Sequence, residues 1–176
     1  MGGMPRSSFL SGIGEERAVF PFHCYAVGMI RRIDLDHGQR DDSSDTSAPL
    51  YSLPIIVLAS VGPMRHEVNV PFHDSQVKGK AVLIQTGWDV RWGTEAYWEP
   101  GPFLSDELIF RLVRSGVGVV GVDFWITGKR QTDLIPGGKI PIVENLGDLS
   151  TLPRWGSIFH VMPLPSGVRA YVEITS

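Results

Sequence analysis

Residues 80–123 constrain the fold more than any other part of the chain. Two short apolar runs rich in β-branched residues, KAVLIQT (80–86) and VGVVGVD (117–123), flank one amphipathic segment. Runs of that length without polar alternation suit strands covered on both faces. Between them, Ser105 can cap a helix over residues 106–114. Asp106 and Glu107 fall in its first turn, where the helix dipole favours acids. Leu108, Ile109, Leu112 and Val113 form its apolar stripe, and Arg114 and Gly116 give a basic last turn and a stop. A strand–helix–strand unit of this kind predicts a parallel pair of strands.

Other segments extend the sheet. Residues 55–61 form a third continuous apolar run, and 140–143 (IPIV) a short fourth one. Residues 158–164 and 168–174 read as a hairpin around Pro165, Ser166 and Gly167. In the last run Val168, Ala170, Val172 and Ile174 alternate with Arg169, Tyr171 and Glu173, which predicts one buried and one wet face. A parallel middle and an antiparallel end fit an α/β fold with a mixed β-sheet or partial barrel and few helices. Residues 1–18 and the Asp- and Ser-rich 36–48 carry no hydrophobic period and read as loops. The chain of 176 residues suits a single domain, 1–176.

The formal net charge of −3 and the scattered basic residues argue against nucleic acid as a partner. The lone cysteine, Cys24, excludes an internal disulfide and reads as a buried inert thiol, which suits a cytoplasmic protein. No run approaches the ~20 apolar residues of a membrane span, so no membrane partner is expected.

Candidate chemistry is spread along the chain. Of the five histidines, His66 and His73 flank a short extended segment beside Asp74, a pair of donors and a carboxylate whose simpler reading is a solvated loop. Asp123 and Glu144 end apolar runs, where ligands of α/β sheets tend to bind. For Asp123 a structural role, bonding backbone amides, is the stronger reading. For Glu144, inside IPIVENL, function and turn capping stand level, because an unpaired charge there would be costly if buried. Trp88, Trp92, Tyr97 and Trp98 follow the second strand run and could wall a substrate pocket, an oligomer contact or a satellite core.

The string AVLIQTGWDVRWGTEAYWEPGPFLSDELIFRLVRSGVGVVGVD, residues 81–123, resembles the middle of the cyclase family, which includes bacterial kynurenine formamidase and isatin hydrolase. It has a strand ending in TGWD, a loop with WGT and an aromatic, a helix start of the P-x-L-S type and a strand ending in G-x-D. IPIVENL at 140–146 resembles the family's strand before Glu-Asn-Leu, and the PLP and VRA of the ending also match, so the likeness runs from about residue 81 to 174. It implies a swivelling β/β/α-like fold and a hydrolase of cyclic or N-formyl and N-acyl amides, of arylformamidase type. It further implies a small-molecule amide substrate, zinc or manganese as cofactor, and a homo-oligomer. In such a site a metal-bound hydroxide attacks the carbonyl and a histidine moves the proton.

The family's signature, His-x-Gly-Thr-His-x-Asp-x-Pro-x-His, is largely missing. Pro21 and His23 fit its end, which implies His23 as the general acid/base. The Asp position then falls on Val19, the preceding His position on Arg17, and no histidine lies upstream. Thr132 stands where a later His ligand belongs, while Glu144 is kept as a metal ligand. A second Pro-Phe-His at 71–73 stands too close to the 80–86 run for the family's order. A metal with so few donors would be held weakly. The resemblance therefore implies a divergent member with a shortened N-terminus, from a deleted strand or a truncated gene model. Its activity is either that of the hydrolase or replaced by a role as a catalytically silent binding or subunit-interface module. His23 and Glu144 are expected to face one pocket, with Trp88, Trp92 and Trp98 as substrate-pocket or interface aromatics.

Overall fold

The computed structural model describes residues 30–37, 49–60, 66–126, 140–165 and 167–175. Among the described residues nine strands and two short α-helices run in the order β1 (Ile30–Asp34), β2 (Tyr51–Ala59), β3 (Glu67–Val68), α1 (Asp74–Val77), β4 (Ala81–Gln85), β5 (Phe103–Leu104), α2 (Asp106–Arg114), β6 (Val119–Val122), β7 (Ile142–Val143), β8 (Trp155–Leu164) and β9 (Gly167–Thr175). Seven strands form one curled mixed sheet, ordered β1-β9-β8-β2-β4-β6-β7, and β3 pairs with β5 in a small second sheet.

The strand β2 joins two regimes. It pairs antiparallel with β8 and parallel with β4. From there β4, β6 and β7 continue parallel, while β8, β9 and β1 continue antiparallel. The predicted parallel pair is thus β4 and β6, with Ala81 opposite Val119. The helix crosses between them as expected. Ser105 Oγ accepts a hydrogen bond from Leu108 N at 3.1 Å, and Leu108, Ile109 and Leu112 pack on Val82, Ile84, Val120 and Val122. Burying a leucine fully, as at Leu108, contributes about 2 kcal/mol. On the opposite, concave face lie Leu35, Ile55, Val57, Leu83, Phe159 and Val172, closed by Leu146, Leu149 and Leu152 after β7.

Gly121 on β6 shows why this strand reads G-V-D. A Cβ there would come within 2.5 Å of Leu83 Cδ2 and 2.6 Å of Leu146 Cδ1. The absent side chain is the space that those two leucines fill.

Two expectations need correction. Paired strands are shorter than the apolar runs at β4, β6 and β7, because flanking residues such as Lys80 and Asp123 leave the ladder for turns. The alternation in β9 is incomplete: Tyr171 is buried although it lies on the polar face, and Val168 is exposed. The Tyr171 ring is covered by the His160 imidazole, stacked at 4.8 Å, and by the Arg32 guanidinium, 4.1 Å from its centroid. Residues 36 and 37, at the start of the stretch read as a loop, form a bend and a turn in which His37 stacks on Trp92; residues 38–48 and 1–18 lie outside the described residues. Among the described residues no helix is long and apolar enough to cross a membrane.

Candidate functional site

The parallel strands β4, β6 and β7 all point their carboxyl ends to one edge of the sheet, and the chemistry-bearing residues gather there. Asp123 follows β6 and is fully buried. Its carboxylate accepts from Thr86 N and Gly87 N, both at 2.7 Å, and from Thr86 Oγ1 at 2.6 Å. Burial pushes its pKa up to about 6, although those three donors pull the other way. The carboxylate thus ties the end of β6 to the end of β4, the amide-bonding role expected from its strand-end position.

Gly87 takes a left-handed backbone (φ 81°) that turns the chain into a 3-10 segment, Trp88–Arg91. Asp89 in that turn accepts from Asp148 N at 2.9 Å. Burial raises the Asp89 pKa, and nearby Asp148 adds to the rise while that residue's amide opposes it. A second 3-10 segment, Glu95–Tyr97, brings the Tyr97 ring into full burial. The Tyr97 hydroxyl donates to Asn145 Oδ1 at 2.8 Å. Its pKa is driven upward by burial first and then by the charges of Asp123, Glu144 and Asp89.

Asn145 itself has a left-handed backbone (φ 60°), a region that asparagine tolerates better than most residues. This accounts for the Asn of the ENL turn. Glu144, just before it, is exposed rather than buried in the apolar run, and its Oε2 accepts from Ile126 N at 2.7 Å. The strand β7 ends at Val143, so the Glu144 side chain leaves the core at the sheet edge.

Above this edge stands an array of rings. The His37 imidazole stacks on Trp92 at 4.0 Å and 7°. Trp92 meets Tyr97 edge-on at 4.9 Å, Tyr97 meets Trp98 at 5.1 Å, and Trp98 meets Trp125 at 5.5 Å. Burial lowers the His37 pKa, with Asp89 and Asp36 opposing the shift. Trp88 does not share this wall. Its indole donates to Tyr97 O at 3.0 Å, lies under the Arg91 guanidinium, and lines a separate cleft of about 420 Å³ with Ser60, His66 and Glu99.

Of the residues that sequence reasoning proposed, the structure brings Trp92, Trp98 and Glu144 to one edge, with Trp88 on its far side. His23, Arg17, Val19 and Thr132 lie outside the described residues, as does Cys24. His66 and His73 do not converge with Asp74 as donors: His66 Nδ1 pairs with Gly101 O at 3.3 Å, and His73 caps α1 through Gln76. His37, Asp89, Trp125 and Asn145 were not singled out. His37 sits in a polar run with no periodicity, and Asp89 and Asn145 enter the sequence reading only as letters of the TGWD and Glu-Asn-Leu strings.

Among the described residues, no three His, Cys, Asp or Glu side chains gather closely enough to hold a metal ion. The Asp123 carboxylate is engaged by three donors, two on Oδ2 and one on Oδ1. The described residues alone do not fit a divalent transition metal, which takes three or four donors.

Residues 61–129 match the family model described as "Putative cyclase". That match covers the stretch from just after β2 to past β6, and the likeness to the cyclase family rests on it. Its fold is similar to that of an isatin hydrolase crystallised with the product analogue thioisatinate, at 19% identity and a TM-score of 0.52, covering 82% of this chain and 71% of that one. Isatin hydrolase A from Labrenzia aggregata, bound to benzyl benzoate, is similar at 18% identity and a TM-score of 0.54, covering 71% of this chain and 62% of that one. A structure described as a potential metal-dependent hydrolase with cyclase activity gives 12% identity and a TM-score of 0.51, covering 82% and 78%. No curated protein matches in sequence. The mixed curled sheet with few helices is therefore the fold that these structures share.

Proposed function

We propose that this chain is a hydrolase of the cyclase type that takes small aromatic amides, either cyclic or N-formyl and N-acyl, at the carboxyl edge of β4, β6 and β7. The observation that carries the reading is the array His37, Trp92, Tyr97, Trp98 and Trp125 standing beside the Glu144 and Asp123 strand ends. Flat rings favour planar apolar substrates, and Trp98, 54% exposed, leaves part of that wall open to a ligand. The similar folds of isatin hydrolases, which act on a cyclic aromatic amide, support the substrate class.

The roles then divide by environment. Glu144 is the exposed carboxylate able to hold a cation or accept a proton, whereas Asp123 positions the Thr86–Gly87 turn. His23 remains the proposed acid/base and Glu144 the proposed metal ligand. Zinc or manganese would supply a polarised water to such a site. The described donors do not by themselves fit that ion, and no catalytic step through it follows from them. A cytoplasmic homo-oligomer remains the proposed setting.

The second reading is a catalytically silent member that binds a ligand or a second subunit through the same aromatic wall. The residue types Arg17, Val19 and Thr132 at ligand positions favour it, since none of them is a usual ligand for zinc or manganese. One experiment separates the two. The purified protein is given isatin and an N-formyl aromatic amine, with and without added zinc or manganese, and ring opening or deformylation is followed by absorbance. Turnover that E144Q removes supports the hydrolase. Quenching of tryptophan fluorescence by the same compounds without turnover supports the silent binder.

A further inference from the structure

The open face of the antiparallel wing carries a second constellation, remote from the aromatic array. Cross-strand register places Ser52 of β2 opposite His160 of β8, and His160 opposite Tyr171 of β9. The same register sets Glu173 of β9 opposite Arg32 of β1, one diagonal step from His160. The side chains follow one another in one line, hydrogen-bonded at its Ser52 end and its Arg32 end, while His160 Nε2 is buried without a hydrogen-bond partner. Ser52 Oγ lies 3.0 Å from His160 Nδ1, His160 Nε2 lies 3.4 Å from Glu173 Oε2, and Arg32 holds Glu173 Oε1 at 3.1 Å.

Chemistry fixes the direction of this line. An ionised Glu173 at 3.4 Å makes no hydrogen bond to Nε2, but its charge repels a lone pair there and so favours the tautomer with hydrogen on Nε2. That leaves the Nδ1 lone pair to accept from Ser52, whose hydroxyl must then donate. His160 is held from three sides, by the Tyr171 ring stacked at 4.8 Å, by Glu173 and by Ser52. Its side chain is 14% exposed, whereas Ser52 is open to solvent. A shielded base oriented by a carboxylate and bonded to an accessible hydroxyl is the arrangement that activates a serine.

We propose that Ser52 is an activated nucleophile that accepts acyl groups from small activated esters, with His160 as its base and Glu173 as the positioning residue. In the step, Ser52 Oγ bonds to the ester carbonyl carbon, its proton passes to His160 Nδ1, and the carbon–oxygen bond to the leaving phenolate breaks. The proton then passes to solvent, giving an O-acyl serine and free phenolate. Among the described residues Ser52 Oγ bonds only to His160. The serine alkoxide is a far poorer leaving group than a nitrophenolate, so deacylation is slower than acylation and the acyl-serine accumulates.

The test uses 4-nitrophenyl acetate on the full chain. A burst of nitrophenolate approaching one equivalent is expected, with a single acetyl located by peptide mass spectrometry on Ser52. S52A, at an exposed strand position, should abolish the burst. H160Q should slow it at least tenfold. E173A should slow it several-fold while E173D restores part of the rate, a rescue that a purely structural role would not produce; circular dichroism checks that each variant folds. Acetylation of Ser52 no faster than that of exposed Ser75, a burst surviving in S52A, or equal rates in wild type and E173A would each overturn the proposal.

Discussion

The Tyr97 hydroxyl reaches Asn145 Oδ1 at 2.8 Å and so joins the loop after β4 to the turn after β7. Two segments separated by the whole of α2 and β6 are held in register by one bond inside a buried environment. The rings of the candidate site rest on that junction, because Tyr97 touches both Trp92 and Trp98.

Tyr97→Phe keeps the ring contacts and removes the bond. Leaving a buried acceptor unpaired costs about 1–3 kcal/mol. Urea unfolding should show a loss in that range with an unchanged slope, and any substrate or ligand affinity at the aromatic array should fall as Asn145 is released. A neutral result would mean that water satisfies Asn145.

Asp123 gives a pH dependence of definite sign. Its folded pKa, about 6, lies above the usual carboxylate value of 3.8. Between those values the folded state holds more protons than the unfolded state, so this group's contribution to stability falls as pH rises from 4 to 6. The full swing is on the order of 3 kcal/mol. His37, whose pKa is lowered, acts oppositely just below its ordinary 6.5. The comparison with Asp123→Asn isolates the carboxylate. Wild-type minus variant stability should decline from pH 4 to 6, and a flat difference would contradict the burial argument. The variant should also be less stable throughout, because an amide cannot accept from three donors as a carboxylate does.

Much of the fold was legible because local chemistry and burial agreed. Ser105, the acids after it and the stripe of Leu108 and Leu112 defined α2 to the residue. The two-sided strands β4 and β6 announced themselves as apolar runs. The edge strand β1 did not: Ile30–Asp34 is mostly exposed and three of its five residues are charged, so its order comes from the ladder with β9 and from the Arg32–Glu173 and Asp34–Arg169 ion pairs across it. The two-residue strands β3 and β5 are held by their pairing and by the burial of Val68 and Leu104, one residue each. At the site, Glu144 and the tryptophans stood out by residue type. His37 and the Ser52–His160–Glu173 line required knowledge of which strands lie side by side, which no single segment contains.

His37 can be followed directly. Burial against Trp92 holds its pKa below 6.5, and Asp89 partly offsets the effect. In a pH titration monitored by NMR, the His37 ring should titrate below the ordinary histidine range. Asp89→Asn removes the opposing charge and should lower it further. Trp92→Ala opens the stack to water and should bring it back toward 6.5. An upward move in Asp89→Asn would contradict the assigned electrostatics.

Gly121→Ala tests the packing beneath the site. The added methyl would meet Leu83 and Leu146 at 2.5 and 2.6 Å, well inside van der Waals contact. Both contacts are leucine methyls, but Leu83 and Leu146 are fully buried, so any new rotamer must find room in a filled core next to the strand ends that carry Thr86 and Glu144. Overpacking of this kind costs about 1–3 kcal/mol. Thermal unfolding should show the loss. A crystal structure of the variant should show the Glu144–Asn145 turn displaced from Tyr97, with the bond to Asn145 lengthened. Because Leu146 links the concave core to that turn, ligand affinity at the aromatic array should weaken along with stability. A variant as stable as wild type, with Leu83 and Leu146 merely in new rotamers, would show that the turn is set by the Tyr97 bond and not by the packing under β6.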